Sequence, residues 1–179
     1  MSQGSIPESQ FGFLPGKSVS MGLACAQIEW IEAKSHGDTV GVLGFDLSGA
    51  FDTVETSTLL SKLESTGISG IPLKWLKSYM TGRSQKVFWN DLMSSSRPLT
   101  HGVSQGSILG PTLFLVMVAD KSRFVTNNMP NTKMTSYADE SAFYVPAKYM
   151  NQLKQDFKMI SSRMKKPSSY EITQQTKIP

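Results

Sequence analysis

Four aliphatic or aromatic residues, Val40, Val42, Leu43 and Phe45, crowd into a short run that ends at Asp46. A β-branched and aromatic run bounded by a charge predicts a buried strand. Beyond it, Ser48-Gly49 turns the chain toward a helical pattern beginning near Ala50. A carboxylate at the mouth of a buried strand is poorly solvated unless something cationic meets it. A metal ion is one answer. A helix cap is the other, with Asp46 or Ser48 closing the N-terminus of the following helix.

The length of 179 residues favours one domain, or a domain with part of a neighbour, and suffices for a sizeable core. The net charge of +4 permits polyanion binding, although a solvated basic face explains it equally well. The basic excess gathers late: Lys148, Lys154, Lys158, Arg163, Lys165, Lys166 and Lys177 face only Asp156 and Glu171. Cys25 is the single cysteine. That excludes a disulfide framework and fits an intracellular protein, cytoplasmic or nuclear rather than secreted. With His36 and His101 the only histidines, a zinc site is not expected. The longest apolar run, Ile108 to Ala119, is broken by Gly110-Pro111 and Thr112 and is too short to span a bilayer, so no membrane partner is expected. The first five residues lack the features of a signal peptide.

Read in order, residues 1–18 form a loop with apolar anchors, Phe11-Gly-Phe-Leu-Pro-Gly-Lys17. Ser18 or Ser20 caps a helix running to about Lys34, with Leu23, Ile28 and Ile31 as its apolar positions. After the Val40 strand, helices are predicted over Thr53 to Ser65 (Leu59, Leu60, Leu63) and Pro72 to Met80 (Leu73, Trp75, Leu76, Tyr79). Ser84 to Asp91 alternates like a strand and turns at Asn90-Asp91, predicting a hairpin that returns through Ser95 to Val103. The bend Gly102-Val-Ser-Gln-Gly-Ser-Ile-Leu-Gly-Pro111 feeds a helix to about Val125. Lys133 to Tyr137 and Ala142 to Val145 predict a tight hairpin with Asp139 and Glu140 at its tip. An amphipathic helix follows from about Ala147 to Met164, with Met150, Leu153, Phe157 and Ile160 on its apolar side. From Pro167 the pattern is lost.

Acids side by side at the tip of an apolar hairpin repel each other and call for a compensating charge. Asp46, Asp139 and Glu140 brought together would suit Mg²⁺, which prefers oxygen ligands and keeps waters and substrate phosphates in its shell. Two such ions, roughly 4 Å apart, would activate an attacking hydroxyl and stabilise a departing pyrophosphate.

Phe45-Asp-Leu-Ser-Gly-Ala-Phe-Asp52, Gly102 to Pro111 and Tyr137-Ala-Asp-Glu140 resemble motifs A, B and C of reverse transcriptases, those of non-LTR (LINE-type) retrotransposons in particular. Gln10 to Ser18 resembles the element preceding motif A. Trp75-Leu-Lys-Ser-Tyr79 and Arg83-Ser-Gln-Lys-Val87 resemble the connecting segment. The resemblance covers roughly residues 8 to 166. It implies an α/β (α+β) polymerase palm, a small antiparallel sheet backed by helices, with partial fingers. Residues 1–36 would be the approach, 37–166 the palm and 167–179 a degenerate tail.

The implied activity is RNA-directed DNA polymerisation from a primer 3′-hydroxyl. Its partners would be an RNA template, a DNA primer, dNTP and other parts of the retrotransposon protein. Its cofactor would be Mg²⁺, with Mn²⁺ as the alternative. By resemblance Asp46 and Asp139 bridge the metal ions with Glu140 beside them, and the Leu47 carbonyl adds a ligand. Phe51 lies under the incoming sugar and collides with a ribose 2′-hydroxyl; alternatively it is a core aromatic beside Val54. Gln105 and Gly106 approach the nascent base pair, or simply form a loop leading a helix. Asp52 reads as a structural acid at a helix start.

Three departures are visible. Glu140 stands where the family has aspartate, moving the carboxylate by about 1.5 Å, a displacement worth on the order of 10²-fold in rate. The tail disturbs the segment that normally supplies a lysine near the leaving group, for which only Lys177 remains. Ser104 stands where proline is common. The chain would also begin after the basic residues of the fingers and end before a thumb, which resembles a truncated copy. The alternative function is therefore a catalytically inactive retrotransposon remnant with at most nucleic-acid binding. A palm RNA polymerase or an intron-encoded maturase is disfavoured by Phe51 and the motif spelling.

Overall fold

The computed structural model describes residues 6–129, 131–164 and 170–178. In chain order its elements are α1 (Val19–Ser35), β1 (Thr39–Leu47), α2 (Thr56–Ser65), α3 (Gly70–Met80), β2 (Arg83–Gln85), β3 (Phe88–Trp89), β4 (Leu92–Met93), β5 (Arg97–Leu99), α4 (Gly110–Val118), α5 (Asp120–Asn128), β6 (Lys133–Tyr137), β7 (Glu140–Ala147), α6 (Met150–Met164) and β8 (Tyr170–Ile178). They divide into two compact units, one of Ile6–Ala50 with Val118–Pro179, the other built on Phe51–Met117. Among the described residues no helix is long and apolar enough to cross a membrane.

The first unit holds a four-stranded sheet of order β6-β7-β1-β8. The Val40 strand lies beside the Tyr137 hairpin, within the small antiparallel sheet that the resemblance implies. β1 and β7 pair antiparallel from Thr39 opposite Ala147 to Phe45 opposite Ser141. The stretch after Pro167 has no legible pattern, yet Tyr170–Ile178 runs antiparallel along the other edge of β1. A central strand carries N–H and C=O groups on both edges, and β8 satisfies the second row. Residues 165–169, with Lys165, Lys166 and Pro167, lie outside the described residues.

Side chains alternate across the sheet and build a core on each face. On one face Leu43, Phe45, Phe143 and Val145 pack with Val125 of α5, Met129 at its C-cap, and Leu153 and Ile160 of α6. Phe45 and Phe143 meet edge to face, 5.0 Å between ring centroids. Gly41 is required here, because a Cβ would come within 2.6 Å of the Phe157 ring of α6. On the other face Val40 and Tyr144 pack with Ala26 and Trp30 of α1.

α1 starts as expected, with Ser18 Oγ accepting from the Met21 amide at 3.2 Å. Its inner face is not the expected one. Leu23, Ile28 and Ile31 are exposed, and Gly22 and Ala26 are the buried residues. Small residues let the helix approach closely; a Cβ on Gly22 would sit 3.1 Å from the Phe11 ring and 3.2 Å from Thr135.

Other boundaries also move. The helix expected over 111–125 is two, α4 and α5, meeting at Ala119, where an apolar sequence gives way to a polar one. Gly49 and its neighbours form turns rather than a helix, and α2, in the second unit, begins only at Thr56, capped by Glu55, whose carboxylate accepts from the Ser57 and Thr58 hydroxyls. Those bonds hold the Glu55 carboxyl below its usual range. The hairpin expected over 84–103 is two short ladders, β2 with β5 and β3 with β4. Asn90 and Asp91 take left-handed φ values of 46° and 60°, the turn that suits a two-residue hairpin.

Because Phe143 is fully buried, Phe143→Ala should lower unfolding free energy by about 3–5 kcal/mol. Ile31→Ala, on the exposed side of α1, should stay within about 0.5 kcal/mol. Urea unfolding of the two variants checks both; equal losses would mean that α1 buries the opposite face.

Candidate active site

Asp46 lies one residue before the end of β1, and its Oδ1 accepts from the Leu47 amide at 2.9 Å. Since Phe45 faces Ser141, the antiparallel register brings Asp46 and Glu140 next along their strands. Both line a cavity of about 560 Å³ together with Tyr137 and with Val19, Gly22 and Leu23 of α1. The register therefore brings Asp46 and Glu140 to one opening on the α1 face of the sheet.

Asp139 sits in the two-residue turn between Tyr137 and Glu140, which pair as the last rung of the hairpin. Ala138, the other turn residue, has φ 55°, a conformation costing roughly 1–2 kcal/mol in a residue with a Cβ. Gln10 holds it there. Its side chain, 3% exposed, donates from Nε2 to the Ala138 carbonyl at 3.1 Å, and its Oε1 accepts from the Ala138 and Gly12 amides at 2.8 Å each. Gln10 is fixed in turn by a parallel bridge to Ser136, in which the Phe11 amide donates to the Ser136 carbonyl and the Ser136 amide to the Ser9 carbonyl, both at 2.8 Å. Gly12 leaves room for the turn, because a Cβ there would collide with the Ala138 amide.

Lys121 of α5 is buried, 7% exposed. Its Nζ donates to Ser141 Oγ at 2.9 Å, and Ser141 Oγ lies 2.9 Å from Ser136 Oγ. Burial pulls its amine down to about 8, against the opposing pull of Asp139 and Asp46. One buried ammonium thus feels both aspartates, which belong to segments far apart in sequence.

Sequence reasoning missed Gln10 and Lys121 in these roles. Gln10 gives no local signal, since its partner is 128 residues away. Lys121 gives one: with the buried Val125 and Met129 it continues a four-residue spacing, placing a cation on the apolar stripe of its helix.

Among the described residues no three or more His, Cys, Asp or Glu side chains gather closely enough to hold a metal ion. Asp46 shares a cavity with Glu140, and Asp139 sits in the turn next to Glu140. These carboxylates are the oxygen donors that a hard divalent cation takes, so the residues present fit such an ion by donor type.

The remaining predicted residues lie in the second unit. The Phe51 ring is half-buried and stacked on Phe114, 4.8 Å between centroids and 17° between planes. Its carbonyl accepts from the Val103 amide at 2.8 Å, and the Gly102 amide donates to the Val54 carbonyl at 2.7 Å, tying the glycine-rich bend to the Phe51–Val54 segment. Arg83 holds the same bend, donating to Ser104 Oγ at 3.2 Å and to the Gly102 carbonyl. Gln105 is exposed and donates to Asp52 Oδ1 at 3.2 Å. Gly106 has φ +76°, which explains glycine there without any close approach. Asp52 lies in a turn well before α2, so the expected helix-start acid is instead a partner of Gln105.

An antiparallel sheet carrying acids at a strand end and at the neighbouring hairpin turn defines a polymerase palm. The fold is found again in apo telomerase from Candida tropicalis, with TM-score 0.65, 14% identity, and coverage of 95% of this chain and 36% of that one. The sequence profile described as reverse transcriptase (RNA-dependent DNA polymerase) matches residues 2–177, and the chain belongs to that family. Among its relatives, the RNA-directed DNA polymerase from mobile element jockey of Drosophila funebris is 34% identical over 116 residues, covering 65% of this chain and 13% of the relative. The probable RNA-directed DNA polymerase from transposon X-element of Drosophila melanogaster is 29% identical over 141 residues, covering 77% and 15%. The chain thus spans less than a fifth of the length of these relatives. Reverse transcriptases generally use divalent metal ions.

Gln10→Ala should leave the Ala138 amide and carbonyl without partners in a buried site, a loss of about 1–3 kcal/mol. Urea unfolding reads the loss, and hydrogen exchange at the Ala138 amide should quicken well beyond that of other β6–β7 amides. Unchanged exchange there would mean that the turn holds itself.

Proposed function

We propose that this chain is the palm part of an RNA-directed DNA polymerase that extends a DNA primer on an RNA template from dNTPs. The observation that carries this reading is the β1–β7 register, which sets Asp46 beside Glu140 with Asp139 in the adjoining turn, in a chain of the reverse transcriptase family. The telomerase of Candida tropicalis, solved with a fragment of telomeric RNA, supports the choice of RNA as a partner. A nucleic-acid polymerase of this kind acts inside the cell, in cytoplasm or nucleus, in keeping with the lone Cys25.

In this reading Asp46 and Asp139 hold Mg²⁺, with the Leu47 carbonyl as a further oxygen and Glu140 beside them. Bound divalent ions supply a more acidic 3′-hydroxyl and charge neutralisation at the triphosphate. The chain itself supplies position. The Gln10 clamp fixes the turn bearing Asp139, and the β1–β7 register sets Asp46 next to Glu140. By the family resemblance Phe51, whose ring is backed by Phe114, would meet the incoming sugar and disfavour a ribose 2′-hydroxyl. Gln105 and the unobstructed Gly106 would by the same resemblance meet the nascent base pair.

A second reading, an inactive remnant that at most binds nucleic acid, is favoured by the absence of a three-acid cluster among the described residues and by Glu140 in place of aspartate.

Primer extension on an RNA template with Mg²⁺ or Mn²⁺ separates the two. The active reading expects extension that disappears with Asp46→Ala, rises with Glu140→Asp by up to on the order of 10²-fold, and prefers dNTP to NTP. Extension from neither the native chain nor Glu140→Asp, with both folded, would establish the remnant.

A further inference from the structure

A lysine residue only 7% exposed is costly to hold charged unless carboxylates lie near it. Lys121 is not incidental to the acidic end of the sheet. Its Nζ is held at 2.9 Å by Ser141 Oγ, which Ser136 Oγ braces at 2.9 Å. Ser141 follows Glu140 and faces Phe45, the residue before Asp46; Ser136 faces Ser141 across the hairpin whose turn bears Asp139. The two hydroxyls hold the ammonium at the end of the sheet whose turn bears Asp139, within electrostatic reach of Asp139 and Asp46.

We infer that the Lys121 ammonium is a resident counter-ion of Asp46 and Asp139 that competes with a divalent cation for them. The inference rests on the site assignment under Proposed function and adds to it a residue that weakens metal binding while stabilising the metal-free fold. An ammonium beside two carboxylates neutralises part of their charge, which is the attraction a divalent ion would otherwise use. A divalent ion arriving at the pair must also meet the repulsion of that cation. Without either cation, the two part-exposed carboxylates repel each other at the same end of the sheet.

The test is Mn²⁺ binding to the full chain, by calorimetry and by the electron paramagnetic resonance of free Mn²⁺, with thermal unfolding in chelator and in saturating Mn²⁺. Lys121→Met is expected to bind Mn²⁺ on the order of tenfold more tightly, to melt below the native chain in chelator, and to gain more from Mn²⁺ than the native chain does. Lys121→Arg should keep the weak native binding. Equal Mn²⁺ affinities and equal Mn²⁺-induced shifts for native and Lys121→Met chains would overturn the inference. If Lys121→Met does not fold in chelator, Lys121→Met/Asp139→Asn, which sheds one carboxylate charge, should regain the fold; a double variant as unfolded as the single one also overturns it. Asp46→Ala in both backgrounds tests the underlying assignment. Mn²⁺ binding indifferent to Asp46 would sink that assignment, whereas binding that needs Asp46 but ignores Lys121 sinks only the counter-ion.

Discussion

The antiparallel pairing of β1 with β7 decides where the acidic groups of this chain end up. Phe45 opposite Ser141 makes the strand carrying Asp46 run out where the hairpin turns through Asp139, and a slip of one residue would turn every side chain of β1 to the other face. Such a slip would exchange Leu43 and Phe45, which hold the α5–α6 core, for Val42 and Gly44. The apolar core thus protects the register, and the register assembles the charged end. Packing and chemistry are coupled through that one alignment.

At that end the chain meets a conflict between two demands. The apolar core under α5 and α6 favours removing charge from water, while the part-exposed aspartates bring charge to its edge. Lys121 and the serine pair reconcile the two demands, and Gln10 does the same for the backbone of the Ala138 turn. Both are polar groups placed where an apolar residue would leave partners stranded. The second unit shows the same economy: Arg83 and the Phe51 carbonyl tie down a glycine-rich bend that has little packing of its own.

Much of this was legible where the cause is local. The β1 run, the Ser18 cap, the Asn90-Asp91 turn and the tight hairpin around Asp139 each follow from a few neighbouring residues, and the motif spelling led to the palm. The misreadings arise where the cause is distant. Leu23, Ile28 and Ile31 suggested a buried stripe, but close approach to Phe11 and Thr135 selected Gly22 and Ala26 instead. Tyr170–Ile178 carries no pattern of its own and becomes a strand because β1 has an edge to fill. Gln10 acquires its role from Ala138 and Lys121 from Ser141. The acids themselves were legible as types and order, whereas their grouping into two pairs depended on which face each strand presents.

The order in which β1 finds its neighbours carries a consequence for synthesis. Both strands that flank it come from the distal part of the chain, after the whole Phe51–Met117 unit. As the polypeptide emerges, β1 is complete while its two rows of backbone groups are still bare, and the intervening unit, contiguous in sequence, can form first. Closing the sheet then requires pairing across a long loop, the slow kind of event in folding. Until β7 and β8 arrive, an apolar strand with both edges open is a template for another chain. The nascent protein is therefore most exposed to aggregation between the emergence of Leu47 and that of Ile178, and holding factors that cover apolar strands would act in that interval.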